Sequence, residues 1–197
     1  VRPGGSAAVR NFLGAAIAAV TLSSCAEKAD GDPLYALGEC RRVALIDEGT
    51  GKAVVGAEDL AYDAAARRVL ISAYDRRAVE SEARSRASDI EQGGVYAASI
   101  DALKGEDAAL TVSSIVARET VAGGLRPHGV SFDENRREIT FVNRSFQKIN
   151  GEWAMRPRIE RAGADGAVFI GDGGNPRCSA NDVAMLGEET FVSFDHA

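Results

Sequence analysis

The fold of this chain is decided by the stretch Glu58-Asp59-Leu60-Ala61-Tyr62, whose pattern occurs twice more with different polar residues at its start. The other copies are His128-Gly129-Val130-Ser131-Phe132 and Asn181-Asp182-Val183-Ala184-Met185. Each copy runs into a turn and then a second apolar strand, at Val69–Ala73, Glu138–Val142 and Thr190–Phe194. Similarity at a spacing of roughly 50–70 residues indicates a repeat architecture, and β-propeller blades have periods near this range.

The polar residues that open the three copies would converge if the copies are propeller blades. Equivalent positions of successive blades point at one central channel. Glu58, His128 and Asn181 would then meet at one axis. A carboxylate, an amide oxygen and an imidazole in one place favour a hard-cation site with a base beside it. Without the repeats, Glu58-Asp59 alone is typical of a solvated turn.

Composition places the chain among ordinary globular domains. It has 197 residues, a formal net charge of −6 and 45% hydrophobic residues, which excludes a disordered tail as its main content. No run of five or more basic residues occurs. Nucleic-acid binding therefore lacks its electrostatic footprint, and we expect no nucleic-acid partner.

Residues 1–25 are predicted to be a lipoprotein signal peptide. Arg2 and Arg10 precede an apolar run, Phe12–Leu22, that is too short to span a membrane as a mature helix. The following Ser23-Ser24-Cys25 looks like the end of a bacterial lipobox, in which the cysteine is lipidated and becomes the new N-terminus. The alternative is an ordinary secretory signal in which Cys25 is incidental.

Either signal exports the protein into a compartment that permits disulfides. The lipobox predicts a bacterial lipoprotein anchored to a membrane on its periplasmic or extracellular face. Residues 26–39 are predicted to be a tether from the lipid to the domain, since Ala26–Pro33 is polar and rich in Gly and Asp.

From residue 40 onward the sequence predicts an all-β domain. Nearly every apolar segment is short and bounded by turn residues, and none has a sustained helical period. Besides the repeats, strands are predicted at Cys40–Asp47, Gly94–Ile100, Leu110–Val116, Glu152–Arg161 and Ala167–Ile170. The highly charged stretch Arg76–Gln92 is predicted to be a long exposed loop.

The predicted domain, residues 40–197, contains about three blades. Three blades cannot close a ring, and an open propeller exposes its edges and half of its core to water. The sequence stops inside a blade, so the simplest expectation is the N-terminal portion of a longer propeller, incomplete at its C-terminus.

Four short strings resemble the paraoxonase/arylesterase family of six-bladed β-propeller lactonases, which carry two calcium ions in the central channel. The resemblance covers the chain from about Cys40 to its end, and a gluconolactonase-type propeller is a close relative in architecture. The strings are Gly56-Ala57-Glu58-Asp59-Leu60, Arg126-Pro127-His128-Gly129-Val130-Ser131, Phe141-Val142-Asn143, and Ser179-Ala180-Asn181-Asp182-Val183 with Asp195-His196.

The resemblance implies ligands for two Ca²⁺ ions. Glu58 and Asn181 match ligands of the family's catalytic calcium. Asp59, the backbone carbonyl of Val130, and Asp182 match ligands of its structural calcium. Carboxylates, amide oxygens and carbonyls are the ligands that Ca²⁺ prefers. Neighbouring residues of a strand point to opposite faces, so one member of each pair could serve each ion.

Three positions concern catalysis. His128 matches the family histidine that activates water. The family's second catalytic histidine should follow Asn143, where this chain has Arg144. An arginine cannot act as a general base, so His128 acts alone, or Arg144 contacts a substrate carboxylate or oxyanion, or the site is catalytically weak. His196 matches another active-site histidine, or it is a surface residue at the end of a strand.

The two remaining cysteines, Cys40 and Cys178, could pair with each other. The resemblance implies instead that Cys40 pairs with a cysteine encoded after Ala197, which leaves Cys178 free. The remaining calcium ligands would also lie after Ala197.

The sequence therefore predicts a calcium-dependent hydrolase that acts on small lactones or aryl esters. In that reaction Ca²⁺ would polarise the carbonyl while His128 activates water. The alternative is a non-catalytic, calcium-stabilised β-propeller that binds a protein or a glycan.

Overall fold

A computed structural model describes residues 41–165, 169–176 and 179–195. Cys25, Cys40, Cys178, His196 and the predicted signal peptide and tether lie outside these ranges. The described residues are mostly β, with strands in four sheets, two short α-helices and a 3₁₀ turn at Arg118–Thr120, which agrees with the predicted all-β class. Within the same ranges, neither helix has the length and apolar character needed to cross a membrane.

The strands follow one another in short antiparallel runs. A three-stranded sheet has the order β2-β3-β4, a four-stranded sheet the order β6-β7-β8-β9, and β10 pairs with β11. A separate parallel pair joins β1 to β5. The bounds are β1 Ala44–Asp47, β2 Ala57–Asp63, β3 Arg68–Ala73, β4 Gly94–Ser99, β5 Ala109–Val112, β6 Pro127–Asp133, β7 Glu138–Ile149, β8 Glu152–Gly163, β9 Phe169–Gly174, β10 Ala180–Leu186 and β11 Glu189–Phe194.

Each of the three predicted repeats is an antiparallel hairpin, at β2–β3, β6–β7 and β10–β11. The first strands of these hairpins are neighbours, because β6 packs against β2 and also against β10. Two apolar clusters hold the hairpins together. One joins Leu70 of β3 to Phe141 of β7, and the other joins Val142 of β7 to Val183 of β10.

The charged stretch after β3 is not the exposed loop that the sequence predicts, because Arg76–Arg84 forms a helix, α1. The Asp75 side chain caps its start by accepting a hydrogen bond of 2.9 Å from the Ala78 amide. Its one buried residue is Val79. Ala83, one helical turn after Val79, packs on the same face. Two small apolar residues among so many charges are easily read as part of a solvated loop, which explains the wrong prediction. A second short helix, α2 (Ile100–Lys104), follows β4.

A buried carboxylate ties the first hairpin to the second. Asp63, at the end of β2, is fully buried and accepts hydrogen bonds of 2.6 and 2.8 Å from Arg137, in the turn between β6 and β7. Arg68 and the Ala66 amide each donate to it at 2.9 Å. Burial alone would raise the pKa of Asp63, but these hydrogen bonds lower it to about 2.

We expect Asp63→Asn to lower the free energy of unfolding by about 2 kcal/mol at neutral pH. The depressed pKa means that the carboxylate stabilises the fold above pH 3.8 and loses this effect as the pH falls through about 2. Urea unfolding of both proteins should therefore give curves that converge between these pH values.

The matched control is Asp133→Asn, at the equivalent position of β6. The Asp133 carboxylate accepts bonds only within its own turn, from the amides of Asn135 and Arg136 at 2.9 and 3.0 Å. An asparagine side chain can still accept these two amide hydrogen bonds. Asp133→Asn should therefore lower the free energy of unfolding less than Asp63→Asn does. Equal losses for the two variants would contradict a special role for Asp63.

Candidate functional site

The polar residues of the three repeats all lie at irregularities of strand pairing. The register shifts between Ala57 and Asp59 in β2, between Pro127 and Val130 in β6, and between Ala180 and Val183 in β10. An extra residue in one strand redirects its side chain and interrupts the ladder. The displaced segments contain Glu58, His128–Gly129 and Asn181–Asp182, so the three hairpins present their polar groups in the same way.

The irregularities in β2 and β10 have the same pattern of hydrogen bonds. The Asp59 amide donates to Ser72 Oγ at 3.1 Å, and the Asp182 amide donates to Ser193 Oγ at the same distance. Each aspartate also accepts a hydrogen bond of 2.7 Å from the amide of the residue that follows it. The two repeats therefore build one local structure around an aspartate.

The middle repeat has Gly129 where the others have an aspartate. A Cβ atom at Gly129 would lie 2.4 Å from both Cα and Oδ1 of Asp182, and 2.9 Å from the carbonyl oxygen of Asn181. Contacts this short leave no room for a side chain. The missing side chain therefore allows β10 to approach β6 closely and brings Asn181 and Asp182 beside His128.

A polar cavity of about 390 Å³ lies over these strands. Its lining includes all the charged and amide side chains that the sequence predicts as metal ligands, together with the predicted base. Two further charged residues, Arg76 and Asp195, also reach it. The lining residues are Glu58, Asp59, Arg76, His128, Gly129, Asn181, Asp182 and Asp195.

Arg76 and Asp195 were missed as site residues by the sequence prediction. Arg76 begins α1, in the stretch that the sequence predicts as an exposed loop, so no signal marked it. Asp195 follows β11 and belongs to the Asp195-His196 string, which could have indicated it.

His128 lies in the wall of the cavity with its side chain 7% exposed. Its Nδ1 is 3.2 Å from Oε2 of Glu58, but the geometry does not give a hydrogen bond. Burial and the charge of Arg144 lower the pKa of His128 below 6.5, against the opposing effects of Glu58, a hydrogen bond with Asn181, and Asp195. The imidazole is therefore neutral at neutral pH, as a general base must be.

Arg144 is buried beside this histidine rather than exposed at the surface. Its Nη2 lies 3.2 Å from Oδ2 of Asp195. Burial raises the pKa of Tyr74, and the nearby Arg144 charge opposes this effect. Tyr74 packs edge-on against His128, with ring centroids 6.3 Å apart. The arginine thus holds the surroundings of the histidine in place, and it does not itself line the polar cavity.

Asp59 and Asp182 face each other across the junction of β2, β6 and β10. Burial raises the pKa of Asp182, and the Asp59 carboxylate raises it further, against the hydrogen bond from the Val183 amide. The Val130 amide donates to Asp59 Oδ2 at 2.8 Å. Two facing carboxylates repel each other, and a bound cation would relieve that repulsion.

The donor atoms of the cavity are suited to a hard cation. Glu58, Asp59, Asn181 and Asp182 all offer oxygen, the ligand type of Ca²⁺. Within the described ranges, no three His, Cys, Asp or Glu side chains are grouped closely enough to hold a metal ion. The residues present therefore fit calcium in donor type and supply part of a coordination shell, to which amide and backbone oxygens must add.

Comparison with protein family models and curated protein sequences finds no relative of this chain. No protein family model matches the chain, and no curated protein sequence matches it significantly. The function proposed below therefore depends on the residues and geometry of the site.

We expect Gly129→Ala to lower the melting temperature, at a cost of about 1–3 kcal/mol, because the new methyl group must push β10 away from β6. Differential scanning calorimetry measures the change. The control is Gly49→Ala, where a Cβ would make its nearest contact at 3.4 Å, to Asp47 Oδ1. If both variants melt at the wild-type temperature, β6 and β10 are not in close contact at Gly129.

Proposed function

We propose that the described strands are blades of a β-propeller. Two observations support this proposal. The first strands of the antiparallel hairpins lie side by side, and all three have the same irregularity of strand pairing. Apolar side chains are also exposed on both outer hairpins, among them Leu60 and Tyr62 on β2 and Leu186 and Phe191 on β10 and β11. In a closed ring, further sheets would cover them.

We further propose that the polar cavity hydrolyses lactones or aryl esters with the help of calcium. The observation that carries this proposal is a buried His128 in one cavity with side-chain oxygens of the type that Ca²⁺ prefers. When bound, the ion would polarise the carbonyl and stabilise negative charge on its oxygen. The family resemblance of the four sequence strings agrees with this reaction class.

In the proposed reaction His128 removes a proton from water as the water oxygen bonds to the carbonyl carbon. The bond from that carbon to the leaving oxygen then breaks, and His128 returns the proton to the leaving group. The products are a carboxylic acid and a phenol from an aryl ester, or a hydroxy acid from a lactone. Glu58, 3.2 Å from Nδ1, stabilises the imidazolium that forms in between.

The test is hydrolysis of phenyl acetate and of a δ-lactone by the full-length protein, in calcium and in EDTA. We expect His128→Gln to lower kcat/KM by about 100-fold or more, the usual effect of losing a general base. The wild-type rate should fall on acidification only below pH 6.5, since the pKa of His128 is depressed and the protonated ring cannot act as a base. Equal rates for the variant and the wild type would contradict the hydrolase.

A non-catalytic, calcium-stabilised propeller that binds a protein or a glycan is the second candidate. The observation that favours it is Arg144, which occupies the position of the family's second histidine and is paired with Asp195. Calcium-dependent stability without any ester or lactone hydrolysis above that of His128→Gln would favour this candidate.

We expect Asp182→Asn to have opposite effects on stability with and without calcium. In EDTA the variant should melt at a higher temperature than the wild type, because it removes the repulsion between Asp59 and Asp182. In millimolar calcium it should melt at a lower temperature, because a ligand that binds only the folded state stabilises it by mass action.

The control for that experiment is Asp133→Asn, which lies outside the cavity. Its melting temperature should keep the same offset from wild type in both buffers. An unchanged offset for Asp182→Asn as well would contradict a cation at this pair of carboxylates.

A further inference from the structure

A second cavity, of about 240 Å³, lies between α1 and the β7–β8 hairpin. Most of its wall is apolar, formed by Tyr74, Val79, Ala83, Phe146 and Met155. Nothing in the reaction proposed above uses this space. Its lining differs sharply from that of the first cavity, which is almost entirely charged or amide-bearing.

Residues 86–88, which follow α1, are fixed to the hairpin at several points. Trp153 Nε1 donates to the carbonyl of Ala87 at 2.9 Å, and Lys148 Nζ donates to that of Ser88 at 3.2 Å. An ion pair joins Arg86 to Glu152. These contacts hold the chain at the end of α1 against the strands, and α1 itself packs against β8, so the cavity is a formed part of the fold.

Two arginines mark the junction of the two cavities. Arg76 lines both of them. Arg144 lines the second, while its partner Asp195 lines the first. A third arginine of the second cavity, Arg84, is offset by Glu80 at 3.6 Å. An apolar space that ends at cationic groups suits an aliphatic chain that carries a carbonyl or carboxylate at one end.

We propose that the second cavity is the subsite for the acyl chain of the substrate. The chain packs against Val79, Ala83 and Phe146, and its carbonyl carbon, later the product carboxylate, lies at the junction beside Arg76 and Arg144. This inference rests on the proposed hydrolase for the identity of its ligand. The subsite selects esters and lactones of medium-chain aliphatic acids over acetates. The preference in kcat/KM grows roughly fourfold with each methylene group that the subsite buries.

Binding can be measured without catalysis. Trp153 is the chain's only tryptophan, and it packs against the same apolar cluster as Val79 and Phe146. Titration of the full chain with octanoate should give a saturable change in its fluorescence. Ala83→Leu, which fills the cavity, should weaken octanoate binding at least tenfold, and Ala83→Val, the milder filling, should weaken it less.

The matched control is Ser81→Leu, which adds a leucine to an exposed position of the same helix. It should bind octanoate like the wild type. Thermal melting of each variant shows whether it is folded. Absence of any fluorescence change with octanoate, or equal binding by Ala83→Leu and Ser81→Leu, would overturn the subsite.

Hydrolysis gives a second, separate readout. The ratio of kcat/KM for 4-nitrophenyl octanoate to that for the acetate should fall about tenfold in Ala83→Leu and stay constant in Ser81→Leu. If Ala83→Leu weakens octanoate binding but no ester is hydrolysed, the proposed hydrolase is overturned and the subsite is still supported. Hydrolysis of acetate with no octanoate binding would overturn the subsite alone.

Discussion

The close approach of β10 to β6 at Gly129 is the constraint on which the rest of the site depends. The missing side chain lets the backbone of Asp182 lie where a Cβ atom would otherwise be. That contact brings Asp182 to face Asp59 and places Asn181 beside His128. Burying two carboxylates that face each other destabilises the fold, because their negative charges repel. The fold supports them with backbone hydrogen bonds, and a cation would complete the compensation.

The same constraint connects the site to its surroundings. The pKa of His128 is lowered because the hairpins bury the ring and because Arg144 lies near it, and Arg144 is in turn held by Asp195. Tyr74 packs edge-on against His128. Tyr74 also belongs to the apolar cluster under α1. The polar cavity and the apolar cavity also share Arg76, which is an arrangement that the proposed esterase for aliphatic acids would need.

Much of the local structure could be predicted from the sequence, and much of the long-range structure could not. Alternating apolar residues around the three polar pairs predicted the hairpins, since a period of two depends only on neighbours along the chain. Glu58, His128 and Asn181 were predicted to converge because repeated units place equivalent residues alike. Helix α1 was missed because its stability depends on Val79 and on contacts with a hairpin far along the chain. The bonds between Asp63 and Arg137 join residues that no local pattern relates.

The hairpins bring Asp59 and Asp182 together, and the proposed cation would lie between their carboxylates. A crystal structure of the full-length protein grown in calcium, with an anomalous difference map, shows whether it does. We predict a calcium ion in contact with both carboxylates, with Gly129 packed against the backbone of Asp182. Carboxylates pointing apart, or a map with no peak between them, would contradict it.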